Sequence, residues 1–258
     1  MKTNTKGICH ICGNELPLTK EHTPPKYAGN VGPVSSIGVL NILQYNRVDL
    51  RRITHQNGLH FLSLCEGCNK ATARDYNEAF SKFCRDGIAA LRVSHRRISP
   101  LIEIYPLRII KQLYVIFSSI SSPEWVDSIP GLKDYLLDRL TDKMEPSHRI
   151  YIYFLKGNIG RRFSGLLIPQ CDNVPHHVAE FSFPPFGFIL TVDDFRPDSR
   201  FTEITFFKGY GYEDRMNFAL NLNELPNPSK RPLDYGDDKY GYGFLYGSDL
   251  SMHQKIQT

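Results

Sequence analysis

The sequence predicts an α+β protein in which a small, zinc-stapled N-terminal module precedes a mixed α+β region. Three observations carry this prediction. Four cysteines stand in two pairs of identical spacing, Cys9-x-x-Cys12 and Cys65-x-x-Cys68. The residues after the second pair repeat apolar side chains at helical intervals (Ala73, Tyr76, Phe80, Phe83, Ile88). Beyond about residue 100, runs of β-branched and aromatic residues follow two helical stretches.

Bulk composition sets the outer limits. A chain of 258 residues with 41% hydrophobic content has enough apolar material for one large domain or two small ones, which excludes a disordered tail. The formal charge of +4 is a mild excess, well short of a purely electrostatic nucleic-acid binder. No apolar stretch approaches the ~20 residues that cross a bilayer, and the N-terminus has no export-signal pattern. A cytoplasmic protein with no membrane partner is expected. In that compartment thiols stay reduced, so the paired knuckles read as thiolate ligands of structural zinc rather than as disulfides. Of the six cysteines, Cys84 and Cys171 remain, and both read as small buried hydrophobes.

Taken in order, residues 1–95 form the cysteine- and histidine-rich module, with an inserted loop over about 26–58. Within it Leu18-Thr-Lys-Glu-His22 is extended and ends at Pro24-Pro25, and a helix runs from Asn69 to about Leu91. The polar stretch Val93 to Pro100, which contains Arg96 and Arg97, reads as the hinge. The second region spans 100–258. Leu107–Ile120 and Gly131–Leu140 read as helices. Strands are expected at Arg149–Leu155, Ser164–Ile168, Ala179–Phe183, Phe188–Val192 and Phe201–Phe207. From about residue 227 onward, Pro, Gly, Asp and Tyr without periodicity predict an irregular tail.

The chemistry-bearing residues lie between and just after the knuckles. Adjacent residues of a strand project to opposite faces, so Glu21 and His22 reach one point only if the strand twists or bulges near its end. Asn69 directly follows the second knuckle, where a short polar side chain can cap the helix. A knuckle, an acidic residue directly before a histidine, a proline soon after, and then Leu64-Cys65-x-x-Cys68-Asn69 leading into a helix resemble the zinc-containing HNH endonucleases, over roughly residues 8–80. The resemblance implies a ββα-metal fold and hydrolysis of DNA phosphodiesters, with RNA also open as substrate. It implies that His22 is the general base, and that Glu21 and Asn69 hold Mg²⁺ or Mn²⁺ beside the structural Zn²⁺ of Cys9, Cys12, Cys65 and Cys68. The family's middle position falls on His60, with Asn57 as a rival three residues earlier.

The chain departs from that family in the length of the segment from Lys26 to Gly58. Lys26, Tyr45, Arg47, Arg51 and Arg52 there read either as a phosphate-gripping loop or as a solvated face, and Lys70 and Arg74 on the helix carry the same two readings. His176-His177 reads as structural, since no knuckle or helix follows it. The C-terminal region shows no Gly-rich phosphate loop, serine elbow or second metal cluster. Its aromatic strands suit a core, a homo-oligomer contact or a regulatory protein partner, and restriction or antiphage defence would fit such a nuclease. The other class of function is a non-catalytic zinc module that binds nucleic acid or a protein.

Overall fold

The computed structural model describes residues 5–38, 52–93, 100–142, 144, 148–155, 159–169, 174–192, 195–197, 199–225, 242–247 and 251–254. In chain order the elements begin with strands β1 (Lys6–Ile8), β2 (Glu15–His22), β3 (Val34–Gly38), β4 (Arg52–His55) and β5 (His60–Cys65). Helix α1 (Glu66–Val93), strand β6 (Leu101–Ile104) and helices α2 (Pro106–Ile120), α3 (Pro123–Asp127) and α4 (Leu132–Leu137) follow. The remaining strands are β7 (His148–Leu155), β8 (Ile159–Pro169), β9 (His176–Phe183), β10 (Phe186–Val192), β11 (Thr202–Glu203), β12 (Met216–Ala219), β13 (Glu224–Leu225), β14 (Tyr242–Gly247) and β15 (Ser251–Gln254). Among the described residues no helix is long and apolar enough to cross a membrane.

The architecture is mixed α+β, and the chain divides into two compact units that are not contiguous in sequence. The first gathers residues Met1–Val31, Leu59–Pro146 and Thr205–Asn221, and the second Gly32–Gly58, Ser147–Ile204 and Leu222–Thr258. The sequence suggested a single cut near residues 95–100. The structure divides differently because strand partners far apart in the chain complete each sheet.

In the first unit a three-stranded antiparallel sheet runs in the order β1-β2-β5. The β2–β5 register sets Leu18 opposite Cys65 and His22 opposite His60, with an irregularity between Thr19 and Lys20. Helix α1 starts at Glu66, three residues before the expected Asn69, with that carboxylate in its first turn where the helix dipole favours it. It buries Cys68, Thr72, Asp75, Tyr76, Ala79, Phe80, Phe83 and Cys84, a stripe at three- and four-residue spacing. Helix α2 opens with Pro106 at its first position and is buried almost all round, as befits a central helix. The segment Thr205–Asn221 closes the unit. Strand β12 pairs with β6, Phe218 meets Phe83 and Phe207, and Arg108 lies between the rings of Tyr105 and Tyr212. A strand was expected over Phe201–Phe207. Only Thr202–Glu203 pairs, and Thr205–Gly209 turns into a 3-10 helix that seats Phe207 in the core.

Of the two cations on α2, Arg108 and Lys111, the lysine is fully buried. Its Nζ donates to the Asp138 carbonyl at 2.7 Å and sits 4.4 Å from the Tyr135 ring centre. Burial pushes its pKa down from 10.5 to about 8, against the pull of Asp138, Asp142 and Asp75. Between those two values the unfolded chain holds a proton that the folded chain has released, so stability rises with pH across that window. Lys111 is expected to contribute a gain of about 2 kcal/mol between about pH 7.5 and pH 9.5, read as the change in wild-type stability minus the change in that of Lys111→Met. Urea melts of both proteins at the two pH values check this, and parallel slopes would count against it.

The second unit is built on an antiparallel sheet whose strands follow the order β11-β7-β10-β9-β8-β15-β3-β4. Strand β14 pairs with the far half of the eleven-residue β8, and β13 lies parallel to β7. Strands β7 and β10 are buried on both faces, as their near-continuous apolar runs demand, and most of β9 is buried as well although it carries Glu180 and Ser182. Two expectations are corrected here. Residues 34–38 and 52–55 of the supposed inserted loop are strands of this sheet, where Val34, Ile37, Ile53 and Thr54 supply β-branched residues. Within the supposed irregular tail, Tyr242–Gly247 and Ser251–Gln254 are strands as well.

The inner face of this sheet carries Tyr151, Tyr153, Phe163, Val178 and Ile189, packed with Phe195, Phe201 and Leu225. Amid them lies an ion pair, Arg161 Nη1 to Glu180 Oε2 at 3.0 Å, with the two side chains 3% and 0% exposed. The Tyr153 hydroxyl donates to the same carboxylate at 3.3 Å. His176 stacks on Phe195 at 4.6 Å between ring centres, in keeping with a structural role.

Candidate functional site

The two cysteine knuckles are held in the first unit by different local devices. The first occupies the turn between β1 and β2. There Gly13, at φ 72°, closes a tight loop by donating to the Cys9 carbonyl at 2.9 Å, and Cys9 N–H donates to Asn14 at 2.9 Å. The second spans a junction, since Cys65 ends β5 and Cys68 lies in the first turn of α1. A backbone bond from His10 N–H to the Ser63 carbonyl at 2.8 Å ties the two knuckles together.

The result is a cluster in which the sulfurs of Cys9, Cys12, Cys65 and Cys68 all lie within 4.8 Å of one another. Cys12 and Cys65 sulfurs are 3.9 Å apart. A tetrahedral zinc–thiolate site needs roughly 3.8 Å between sulfurs. The Cys65 N–H points at Cys9 Sγ at 3.3 Å, a donor that supports a thiolate. A hydrogen bond from Cys68 pulls the Cys9 thiol down to about 4, the same contact pushes Cys68 up, and burial pushes Cys12 up. Four sulfurs so close cannot all ionise unaided, and a divalent cation removes that conflict. The cluster can therefore hold a metal ion such as zinc. Among the described residues it is the one grouping of three or more His, Cys, Asp or Glu side chains with metal-binding geometry.

Directly beyond it stands the second set of predicted residues. His22 and His60, the facing last and first residues of β2 and β5, bring their rings to 5.6 Å between centres at a 41° tilt. Both are half-buried. By strand alternation Lys20 shares their face and is exposed. Sequence reasoning passed over Lys20, although its spacing of two from His22 was a usable signal. Glu21 points to the other face, 6% exposed, and burial alone pushes its carboxyl up to about 8. Thr19 shares that face, and Asn69 Nδ2 donates to Thr19 Oγ1 at 2.9 Å, while Thr19 Oγ1 donates to the Leu64 carbonyl at 2.9 Å. The ribbon thus sorts the predicted residues into two groups: His22 with His60, and Glu21 on the strand face that Asn69 adjoins.

The predicted nucleic-acid contacts scatter. Lys26 is exposed on the 3-10 turn Lys26–Ala28 that follows β2. Lys70 pairs with Glu66 at 2.6 Å, and Arg74 forms a two-pronged bond to Asp75, so both charges have local partners. Arg52 belongs to β4 of the second unit. Arg47 and Arg51, together with Tyr45, Arg96, Arg97 and Cys171, lie outside the described residues. Asn57 is exposed, which leaves His60 as the residue that faces His22.

Comparison with family models, with curated proteins and with solved structures finds no match to this chain.

Proposed function

We propose that this protein is a metal-dependent endonuclease of the HNH type that hydrolyses phosphodiester bonds of DNA. The observation that carries the reading is the facing pair His22–His60, placed at the far end of a strand ribbon whose other end is anchored in the four-cysteine cluster. In this reading Zn²⁺ occupies the cluster and makes the ribbon rigid. His22 takes a proton from the attacking water on an imidazole nitrogen, a task suited to a side chain that titrates near neutrality. His60 orients that site, and exposed Lys20 attracts the phosphate. Glu21 and Asn69 offer oxygen ligands on their side of β2, and a bound Mg²⁺ or Mn²⁺ would neutralise charge developing on the leaving oxygen. A desolvated carboxyl such as that of Glu21 fits this assignment, because a cation offsets the cost of ionising it.

A second reading, a non-catalytic module that binds nucleic acid, is favoured by one feature: adjacent strand residues Glu21 and His22 face opposite ways. Cleavage separates the two readings. With Mg²⁺ or Mn²⁺ the protein is expected to nick supercoiled plasmid, and single-stranded DNA and RNA substrates define its preference. His22→Ala is expected to slow cutting by about 10²- to 10⁴-fold while bound zinc and melting temperature stay as in the wild type. If the variant cuts at the wild-type rate, His22 is not the base. If the wild type binds DNA but leaves it intact with every metal, the second reading holds.

A further inference from the structure

Asn30 is fully buried, although it lies just after the 3-10 turn that follows β2. Its side-chain amide is engaged entirely by backbone. Nδ2 donates to the Pro24 carbonyl at 2.7 Å and to the Leu59 carbonyl at 2.8 Å, while Oδ1 accepts the Leu59 N–H at 2.6 Å. Thr23 N–H donates to the same Leu59 carbonyl at 3.1 Å. Leu59 precedes His60, and Thr23 and Pro24 follow His22.

These bonds have a specific geometry. The β2–β5 ladder ends at the pair His22–His60, and among the described residues β1 pairs only with Glu15 to Pro17, so that end of the described ladder is two-stranded. A two-stranded end of this kind frays unless it is tied down. A carboxamide is chemically a peptide group, with one acceptor oxygen and donor N–H on a planar frame. Asn30 therefore does what a further strand residue would do: it extends the ladder by one step past the histidines. We infer that Asn30 is the positioning residue that sets the distance and tilt between His22 and His60, an inference that rests on the nuclease reading of that pair. It makes no contact with substrate and acts through the backbone of Leu59, Thr23 and Pro24.

The chemistry of the substitutions is distinct. Asn30→Ala leaves the Leu59 N–H and two carbonyls buried without this partner. Asn30→Asp turns an oxygen towards two carbonyl oxygens at 2.7 and 2.8 Å, which repels. Asn30→Ser keeps one donor. The test takes the zinc-loaded full chain of each variant and reads two things. The first is the His22 and His60 ring resonances together with amide exchange at Leu59. The second is plasmid cleavage, as kcat and KM separately and as the pH profile of kcat. Asn30→Ala is expected to shift both ring signals and to speed exchange at Leu59 roughly tenfold. It is also expected to lower kcat by about 100-fold with KM nearly unchanged, the signature of a misplaced reacting group. Should Asn30→Ala lose its zinc, Asn30→Ser carries the same comparison with a smaller effect. Unchanged ring signals and unchanged Leu59 exchange overturn the inference, and so does an equal fall in all variants that tracks melting temperature alone. If the wild type does not cut at all, the nuclease reading fails, and the resonance and exchange data still decide what Asn30 does.

Discussion

Removal of the metal from the four-cysteine cluster is expected to unfold β1, β2, β5 and the first turns of α1 together, and with them the His22–His60 pair. The sheet is only three strands wide, and β1 contributes three residues. Its apolar residues Ile8, Leu16 and Leu62 are all exposed, so apolar burial alone does not account for its stability. A structural zinc site supplies on the order of 10 kcal/mol of apparent folding free energy, more than the whole stability of many domains. Cys65→Ser should act like a strong chelator, because it removes one of the four sulfurs while leaving the backbone N–H that donates to Cys9 Sγ in place. The measurement is release of one zinc per chain, followed alongside amide exchange of residues 6–22 and 60–70. Metal-free protein with unchanged exchange there would show that the cluster is not a structural metal site.

The second large effect is expected far from any candidate chemistry, at Gly187 of β10. In the register it stands opposite Tyr153 on one side and Ser182 on the other. A Cβ built on Gly187 would lie 1.8 Å from Tyr153 Cζ and 2.1 Å from its hydroxyl oxygen. The tyrosine ring lies flat across this backbone, and that is how its hydroxyl crosses β10 to reach Glu180 on β9. Gly187→Ala must therefore expel the ring from the core, open a gap beside Phe201, and take a donor from the buried Glu180–Arg161 pair. Loss of a packed aromatic combined with a weakened buried ion pair costs about 4 kcal/mol. Denaturant melts check the loss. The double variant Gly187→Ala/Tyr153→Leu should recover part of it, since the smaller side chain leaves room for the methyl group. Additive losses in the double variant would show that the ring is not the source.

Some of this was legible in the residues themselves. Identical knuckle spacing located the cluster, since the chemistry of four sulfurs around one ion leaves little freedom in sequence. Amphipathic periodicity found α1, and apolar runs found β7, β9 and β10, because those signals are local. Pairing between distant segments was not legible. Nothing in Val34–Gly38 or Ser251–Gln254 announces that these two strands lie side by side, as their register requires. The expected loop and tail consequently turned out to hold strands. The same limit applies at the candidate site. His22 and His60 could be matched to a family pattern, whereas Asn30 is one buried polar residue whose meaning depends on three backbone atoms brought to it by folding. Glu21 and His22 show the converse, since the family resemblance implied a shared target while strand alternation, which the sequence already pointed to, sends them apart.

The chain changes unit after Val31, Gly58, Pro146, Ile204 and Asn221. During synthesis, the metal cluster can form once Cys68 has emerged, yet β6 waits for β12 more than a hundred residues later. Strand β3 waits longer still, for β15. A nascent chain of this design carries unpaired strand edges for most of its time on the ribosome, which exposes it to mispairing and to chaperones. Any cut between β3 and β15 also separates strands of one sheet, so two halves of the chain are not expected to fold independently.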